Sequence, residues 1–371
     1  MSASDFHIII NALFIGNTPT GIGRFTREVA RAICRNQPLS RVVTPIPIDG
    51  IDRSQIISAP PFVRDDGKAL HNACRLLYLN FAMPGTGHRD NNAVLYCPTP
   101  EMPFRPKIPT VIHIHDTHPI LFREYSRKST AILELFLKIA QKKAARICVP
   151  SLHVRDQLMN YWQDMAPTVD VVPNGVSLDF FDSGNPGYST RLPEYIASLK
   201  PFILFAGNIF PYKNLQTLTS AFTRVASEIP HKLVIIGRNF SGGNAIPADP
   251  RIVHFNYVAD DDLRAFYAAA DMLVHPSKAE GFGLTVLEAM ASGTPVIASN
   301  AAAIPEVTGN AAILLHPEDR DGFAEAIVEL ISNTALREDL INRGRKRAAL
   351  FSWEKTAEGI LDSCRKAFSE R

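Results

Sequence analysis

The chain has 371 residues, of which 46% are hydrophobic and 20% are charged, and its formal net charge at pH 7 is +2. This length predicts two domains, and this composition is typical of a soluble globular protein. A nearly neutral chain argues against a surface that coats nucleic acid, so any preference for a charged partner must come from local patches.

The cysteines, the first residues and the apolar runs indicate where the chain works. The five cysteines are scattered without a CxxC pair, which fits buried thiols in a reducing compartment better than a disulfide framework or a zinc site. Residues 1–10 contain an acid and no basic segment, unlike a signal peptide. No apolar run reaches the roughly 18 residues of a membrane-spanning helix. We expect a cytoplasmic protein and leave open a peripheral contact with the inner face of the plasma membrane.

The first predicted elements are a strand over residues 6–13 and a helix over 24–36, joined by a loop with Gly16, Gly21 and Gly23. A glycine-rich loop that opens a helix can present backbone N–H groups to a phosphate. The glycine spacing differs from GxGxxG, the dinucleotide fingerprint, so an ordinary strand-to-helix turn explains the loop equally well.

Four arginines fall at helical spacing on this first helix: Arg24, Arg27, Arg31 and Arg35. Most stripes of this kind are solvated helix faces. The alternative is attraction to an anionic lipid surface or to a phosphorylated acceptor.

The first half continues to about residue 176, although residues 46–92 show little periodicity. Strand patterns occur near residue 42 and over 93–97, 110–115, 147–150 and 169–172, and helix patterns over 68–80, 127–145 and 151–162. We therefore predict a first domain over residues 1–176.

The strand over 110–115 ends in a cluster of polar residues: His113, His115, Asp116 and His118. Three histidines and an aspartate in one short segment suggest a metal site, as in a metallohydrolase. Their order is H-x-H-D-x-H, however, whereas metallo-β-lactamase-type hydrolases show H-x-H-x-D-H. We favour a buried His113 and a ligand-facing His115, and we expect no metal.

The second half repeats the same alternation of strands and helices. Residues 177–200 contain glycines and prolines, and we predict an interdomain linker there. Strand and helix patterns resume over 201–352, and a final helix with a serine cap begins near residue 352. Repeated βα units in both halves predict an α/β protein with two Rossmann-like, doubly wound parallel-sheet domains that face each other across a cleft.

Residues 271–300 read as a strand, a polar loop, a helix and a second strand, and they contain two unusual glutamates. Glu280 lies in the loop at the carboxyl end of the first strand, where open α/β sheets bind ligands. Glu288 shares a helix face with apolar core positions, where an acid has no cheap structural explanation.

Three groups predicted at one sheet edge point to a single ligand. Residues 281–283 open a helix, whose N–H groups and dipole favour an anion. Lys213 and Arg238 both follow strand ends and can neutralise phosphate. Glu280 and Glu288 offer acceptors for sugar hydroxyls. Together these groups predict a site for a nucleotide sugar.

At these residues the sequence resembles a known family. The segment from Glu280 to Glu288 is similar to the E-x7-E signature of glycosyltransferase family 4, which consists of retaining enzymes with the GT-B fold. Further motifs follow in family order over nearly the whole chain, at residues 21–23, 172–176, 207–214, 237–238 and 351–353. The pattern also resembles bacterial mannosyltransferases of polysaccharide assembly.

The resemblance implies a role for each matching position. Glu280 would hold hydroxyls of the donor sugar, Glu288 would hold the ribose, and His115 would face the sugar at the reaction centre. Lys213 and Arg238 would neutralise the leaving diphosphate. The other implied donor-binding residues are Gly21, Gly23, Asn208, Tyr257, Val258, Phe282, Gly283 and Leu284. Asn208 departs from the family pattern, since many relatives have an arginine there.

The resemblance also implies a reaction. A hexose would pass with retention from a nucleotide sugar, GDP-mannose being the expected donor and a UDP-hexose the other candidate, to a glycan or lipid-linked oligosaccharide. No metal or other cofactor would be required. The family's last helix returns to the first domain, which we expect for residues 353–371. The alternatives are a sugar-nucleotide epimerase of similar fold, a non-catalytic nucleotide-sugar-binding protein and the metallohydrolase considered above.

Overall fold

The structure is a computed structural model, described over residues 6–16, 21–64, 69–83, 92–122, 127–162, 168–182, 192–240 and 246–370. The chain divides into two units. The first contains Met1–Gly175 and Trp353–Arg371, and the second contains Val176–Ser352.

The first unit is built on a seven-stranded parallel sheet. Its strands are β1 (His7–Asn11), β2 (Arg41–Thr44), β3 (Ile56–Ser58), β4 (Ala93–Cys97), β5 (Thr110–His113), β6 (Arg146–Val149) and β7 (Val169–Val171). They lie in the order β3-β2-β1-β4-β5-β6-β7. In β1 the successive residues Ile8, Ile9 and Ile10 are all buried, which shows that both faces of the sheet are covered.

The helices of this unit follow the predicted segments, apart from an earlier start of the first helix, one short helix that was not predicted, and a π-helical turn. They are α1 (Gly21–Asn36), α2 (Ala69–Leu77), α3 (His118–Leu121), α4 (Arg127–Lys143) and α5 (Leu152–Trp162). The helix pattern over 68–80 continues beyond α2 as a π-helical turn over Tyr78–Ala82. Strand β3 has only three residues, too few for its alternation to be read in the sequence.

The second unit is built on a six-stranded parallel sheet. Its strands are β8 (Phe202–Ala206), β9 (Lys232–Ile236), β10 (Ile252–Phe255), β11 (Met272–His275), β12 (Val296–Ser299) and β13 (Ile313–Leu315), in the order β10-β9-β8-β11-β12-β13. Its helices are α6 (Leu178–Asp182), α7 (Glu194–Ala197), α8 (Leu215–Val225), α9 (Asp260–Ala269), α10 (Leu284–Ala291), α11 (Ile304–Thr308), α12 (Arg320–Ser332) and α13 (Thr334–Ala348). Two Rossmann-like parallel sheets confirm the predicted fold class.

The segment predicted as a linker, residues 177–200, contributes two short helices to the second unit. Phe180 of α6 and Ile196 of α7 are buried in the same core cluster as Phe202 of β8. Part of the predicted linker, residues 183–191, lies outside the described residues, and Phe180 and Ile196 on either side of it pack into this core.

The last helix, α14 (Trp353–Ser369), belongs to the first unit. The rings of Phe6 and Phe368 stack with centroids 5.3 Å apart. Thr356 donates a hydrogen bond to the carbonyl of Pro173 at 2.8 Å. A Cβ atom on Gly359 would lie 2.9 Å from Val172, so the helix approaches the end of the sheet too closely for a larger residue.

Candidate active site

The strand order of the second sheet reverses between β8 and β11. From β8 the chain adds β9 and β10 on one side and then returns to add β11, β12 and β13 on the other. Open α/β sheets bind ligands at such a switch point, outside the carboxyl ends of the strands. The loops after β8 and β11, which carry Lys213 and Glu280, flank this point.

The loops after β8 and β9 approach each other very closely. A Cβ atom on Gly237 (φ +146°) would lie 2.0 Å from the carbonyl oxygen of Gly207, so only glycine fits at this position. The side-chain oxygen of Asn208 accepts a hydrogen bond from the backbone N–H of Arg238 at 3.2 Å. Asn208, predicted as a donor-binding residue, thus also holds the backbone of Arg238.

Lys213 and Glu280 form an ion pair. Lys213 Nζ donates to Glu280 Oε1 at 2.5 Å, and the two side chains are only 14% and 10% exposed. His275, the last residue of β11, also donates to Oε1, through Nε2 at 2.6 Å. Within the part of the chain that the structure describes, both hydrogen bonds to this carboxylate end on Oε1, so Oε2 retains its capacity to accept a hydrogen bond from a ligand.

The surroundings of Glu280 keep its carboxyl ionised. Burial by itself would raise its pKa, but the positive charge of Lys213 and the contact with His275 outweigh burial. The result is a pKa well below the usual range of a glutamate. Glu280 is therefore a fixed negative acceptor across the ordinary pH range.

Asn214 fixes the loop that carries Lys213. Its backbone is left-handed (φ 56°), a conformation that asparagine tolerates better than most residues. Its amide nitrogen donates to the carbonyls of Pro276 at 3.1 Å and Pro317 at 2.5 Å. Because Pro276 directly follows β11, this amide ties the two loops of the ion pair together.

Helix α10 begins at Leu284, four residues after Glu280. Gly283 has φ +101°, and a Cβ atom there would lie 2.7 Å from Ile304. The N–H groups of Leu284 and Thr285 belong to the first helical turn, where the helix itself offers no acceptor. Phe282 is buried against Phe351, with ring centroids 5.8 Å apart. These predicted donor-binding residues present backbone rather than side-chain groups.

Glu288 is 5% exposed on α10, and Tyr267 donates a hydrogen bond to its Oε2 at 3.0 Å. The sequence offered no structural explanation for this acid, and Tyr267 supplies one. This hydrogen bond joins α9 to α10. The contact between Glu288 and a ribose, which the resemblance implies, stays a prediction.

Aromatic rings stack beside Arg238. The ring of Phe210 lies parallel to Tyr212, with centroids 5.3 Å apart, and to Phe240, 4.8 Å apart. The guanidinium of Arg238 lies over the Phe240 ring at 5.3 Å. Cations are attracted to aromatic faces, so this stack orients Arg238 at the sheet edge.

The residues implied to border the base lie after β10. Tyr257 is 60% exposed, and Val258 is partly buried against the core of the second unit. An exposed aromatic ring beside a half-buried aliphatic side chain is compatible with stacking of a planar base.

The remaining predicted residues, Gly21, Gly23 and His115, lie in the first unit. Gly21 begins α1 and has open space where a Cβ would stand, whereas Gly23 is buried. His115 Nε2 lies 2.8 Å from the carbonyl of Pro98, which can only accept, so Nε2 carries a hydrogen. Burial lowers the pKa of His115. The hydrogen bond to the backbone of Pro98 and the charge of Asp116 act to raise this pKa, but burial outweighs them. A neutral ring then leaves Nδ1 as an acceptor.

The neighbouring histidine is a core residue, as predicted. His113 is fully buried, its Nδ1 lies 3.3 Å from the hydroxyl of Tyr96, and its ring packs on Phe25 at 4.6 Å. Within the described ranges, no group of three or more histidine, cysteine, aspartate or glutamate side chains is placed to hold a metal ion.

The arginine stripe of α1 is engaged within the first unit. Arg27 donates to the carbonyl of Gly16 at 3.1 Å, Arg31 pairs with Glu28 at 2.8 Å, and Arg35 lies 3.4 Å from Glu354. These contacts favour the interpretation of the stripe as an ordinary helix face. In the part of the chain that the structure describes, every helix is too short or too polar to cross a bilayer.

The sequence reading missed two partners of the glutamates, His275 and Tyr267. His275 is recoverable, since it ends a strand at the same edge as Lys213 and Arg238 and stands five residues before Glu280. Tyr267 lies on a different helix from Glu288, and no local pattern indicates that pairing.

Two family models match the chain: "Glycosyltransferase Family 4" over residues 19–180 and "Glycosyl transferases group 1" over residues 193–347. An O-antigen chain mannosyltransferase B from Escherichia coli is 29% identical over 68% of this chain and 69% of its own length. A D-inositol 3-phosphate glycosyltransferase from Paenarthrobacter aurescens (strain TC1) is 31% identical over 61% of this chain. The match spans 58% of that relative, less than two thirds of its length.

A solved structure supports the fold. Anabaena Alr3699/HepE, crystallised in complex with UDP-glucose, superposes with a TM-score of 0.70 at 18% identity, covering 96% of this chain and 98% of its own. At that identity the likeness shows the fold alone. The two units described above therefore have the GT-B architecture.

The E-x7-E segment, the paired parallel sheets and the two family models, one on each half of the chain, lead to the same conclusion. The chain belongs to glycosyltransferase family 4.

Proposed function

We propose that this protein is a retaining hexosyltransferase that moves mannose from GDP-mannose to a glycan or lipid-linked oligosaccharide in polysaccharide biosynthesis. The observation that carries the proposal is the buried pair of Lys213 and Glu280 at the switch point of the second sheet. It offers a cation to a leaving phosphate and a carboxylate oxygen to a sugar hydroxyl.

The proposed chemistry follows from the charges that develop. A glycosyl transition state resembles an oxocarbenium ion, and its diphosphate leaving group gains negative charge. Lys213, Arg238 and the N-terminus of α10 all favour negative charge where it develops. The two cations, Lys213 and Arg238, support a reaction that requires no metal ion.

The proposed retention of configuration draws on the family and on the polar groups at this edge. Glu280 is tied to Lys213 and His275 through Oε1, an arrangement suited to holding a hydroxyl rather than to attacking the sugar. In front-face transfer, the leaving phosphate itself takes the proton of the acceptor hydroxyl, and no protein nucleophile is needed. His115, with Nδ1 as an acceptor, is proposed to face the donor sugar from the first unit.

The choice of mannose and of a polysaccharide acceptor is supported by the relative from Escherichia coli, an O-antigen chain mannosyltransferase. Another relative is a D-inositol 3-phosphate glycosyltransferase, and the superposed Anabaena protein was crystallised with UDP-glucose. The test therefore includes other sugars, acceptors and nucleotides. A cytoplasmic place, with peripheral contact at the inner membrane face, is part of the proposal for a lipid-linked acceptor.

The test is nucleotide release by the purified chain from a panel of GDP-, UDP- and ADP-sugars, with and without lipid-linked oligosaccharide. We expect GDP release from GDP-mannose that depends on acceptor and persists in EDTA. Conversion of the nucleotide sugar into its epimer without acceptor and without net release of nucleotide would indicate the epimerase alternative. A panel in which no sugar is transferred would overturn the proposal.

The stereochemistry is checked separately. NMR of the product should show the anomeric configuration of the donor. An inverted product would overturn the retaining mechanism while leaving the transferase activity established.

A further inference from the structure

His275 is an unusual residue to find at the end of a core strand. Its side chain is fully buried, and its ring stacks on that of Phe205 at 6.1 Å with an interplanar angle of 15°. Nε2 donates to Glu280 Oε1 at 2.6 Å. Among the described residues, Nδ1 is buried without a hydrogen-bond partner.

An unpartnered buried nitrogen is costly, so an imidazole is a poor choice for mere filling of this space. A phenylalanine would stack on Phe205 equally well and would bury no polar atom. What the imidazole adds is its Nε2–H group, which donates a hydrogen bond to Glu280. The geometry therefore indicates that this one hydrogen bond is the reason for a histidine here.

We propose that His275 is a positioning residue, which fixes Oε1 of Glu280 so that Oε2 is presented to a hydroxyl of the donor sugar. The inference rests on the proposed function and deepens it. Lys213 already donates to the same Oε1, so the role of His275 needs a reason of its own.

That reason is the second task assigned to Lys213. An ammonium group that turns toward a diphosphate shares its donors between the phosphate and Glu280. Without His275, Glu280 would then lose its anchor at the moment when the sugar must be held. With His275, one buried donor stays on Oε1 throughout, because the ring ends a strand and is locked by Phe205.

The test compares His275→Phe, which keeps the ring and removes the donor, with His275→Gln, whose amide can again reach Glu280. We expect His275→Phe to lower kcat/KM by about tenfold, because a hydrogen bond to a charged group is lost. We expect His275→Gln to recover most of that loss. His275→Asn, too short to reach Oε1, should behave like His275→Phe and serves if the latter fails to fold.

A comparison of GDP-mannose and GDP binding separates positioning from packing. Oε2 of Glu280 is proposed to hold the sugar, so loss of the donor on Oε1 should weaken binding of GDP-mannose in His275→Phe, leave binding of GDP unchanged, and be reversed in His275→Gln. Phe205→Leu, which disturbs the same packing and keeps the donor, should lower stability and leave the preference for GDP-mannose over GDP in place. Equal losses of that preference in Phe205→Leu and His275→Phe would overturn the proposal.

A readout that needs no activity distinguishes this inference from the proposed function. The carboxyl ¹³C resonance of Glu280, assigned by its loss in Glu280→Gln, should move at neutral pH in His275→Phe, keep its place in Phe205→Leu, and return toward the wild-type position in His275→Gln. An unchanged resonance in His275→Phe overturns the role of His275 even if the wild type transfers sugar. A moved resonance that His275→Gln restores supports it even if the panel of nucleotide sugars finds no transfer.

Discussion

The two units each contain a largely buried ion pair, and the pairs are built differently. In the first unit, Arg146 binds Asp170 with two hydrogen bonds of 2.8 and 2.9 Å and also binds Glu370 at 2.8 Å. Ser363 donates to Oδ2 of Asp170 at 2.8 Å, so both carboxylate oxygens are occupied. In the second unit, the hydrogen bonds recorded for Glu280 end on Oε1.

The difference teaches how a structural pair can be told from a functional one. The Arg146 cluster joins β6, β7 and α14 and satisfies its own charges, so nothing remains for a ligand. The Lys213 pair has similar burial, but Lys213 can still donate hydrogen bonds to a ligand and Glu280 can still accept one. Breaking the first pair should therefore cost stability, and breaking the second should cost activity.

The largest effect is expected from Arg146→Ala, which leaves Asp170 buried without its cation. We expect a loss of about 3–5 kcal/mol in the free energy of unfolding. Both tryptophans, Trp162 and Trp353, lie in the first unit, so their fluorescence during urea unfolding reports on this unit.

The control for that measurement is Arg35→Ala, which removes an ion pair of the first unit, with Glu354, whose side chains are 62% and 55% exposed. It should change stability by no more than about 1 kcal/mol. If Arg146→Ala cost no more than this control, the cluster would not be the tie that its geometry indicates.

The second expectation concerns the functional pair. Glu280→Gln and Lys213→Ala should each lower the transfer rate by at least about tenfold, or about 1.4 kcal/mol. Because both tryptophans lie in the first unit, far-UV circular dichroism, which reports on both units, should be used to show that the two variants remain folded. Glu318→Gln and Lys278→Ala, which break an exposed pair nearby, are the matched controls. Near-normal rates in both site variants would remove Lys213 and Glu280 from the site.

The third expectation is a pH dependence of stability. Burial alone would raise the pKa of Asp170, but hydrogen bonds from Arg146 and Ser363 and the charge of Arg146 lower it below its ordinary value of 3.8. A depressed folded-state pKa stabilises the protein fully above the unfolded-state value, and this contribution is lost as the pH falls through the folded-state value. Unfolding of the first unit should therefore become easier below about pH 4, less steeply in Asp170→Asn. Equal slopes would contradict the assignment.

The smallest effect is expected at the aromatic stack. Phe240→Leu removes the ring beneath Arg238, and since an exposed cation–π contact contributes about 0.5–1 kcal/mol, nucleotide affinity should fall about two- to fivefold. Phe240→Tyr keeps the ring face and should bind like the wild type. Calorimetric titration with GDP or UDP measures both variants. Tighter or unchanged binding in Phe240→Leu would show that the stack does not orient Arg238 for phosphate.

The sequence predicted the fold and the neighbourhood of the site for a simple reason. In a parallel sheet all carboxyl ends meet at one edge, so Lys213, Arg238 and Glu280 could be placed together from strand ends alone. Side-chain direction could not be read in this way. The pairing of Lys213 with Glu280 joins residues 67 positions apart in the sequence. The pairing of Tyr267 with Glu288 joins residues 21 positions apart.

Two segments resisted the sequence reading because their signals are short or mixed. Between residues 46 and 92 the chain forms a three-residue strand, β3, and a helix that ends in a π-helical turn, neither of which keeps a regular period. Over 177–200 the glycines and prolines obscured Phe180 and Ile196, single apolar anchors whose burial follows from the tertiary structure.

The position of α14 also determines when each unit can be completed during synthesis. The second unit is one continuous segment whose ends meet, since the N–H of Val176 donates to the carbonyl of Phe351 at 3.4 Å. The first unit needs both ends of the chain, including Phe368 against Phe6. On the ribosome the later-made unit can therefore finish folding first, while the earlier one waits for the last helix to emerge.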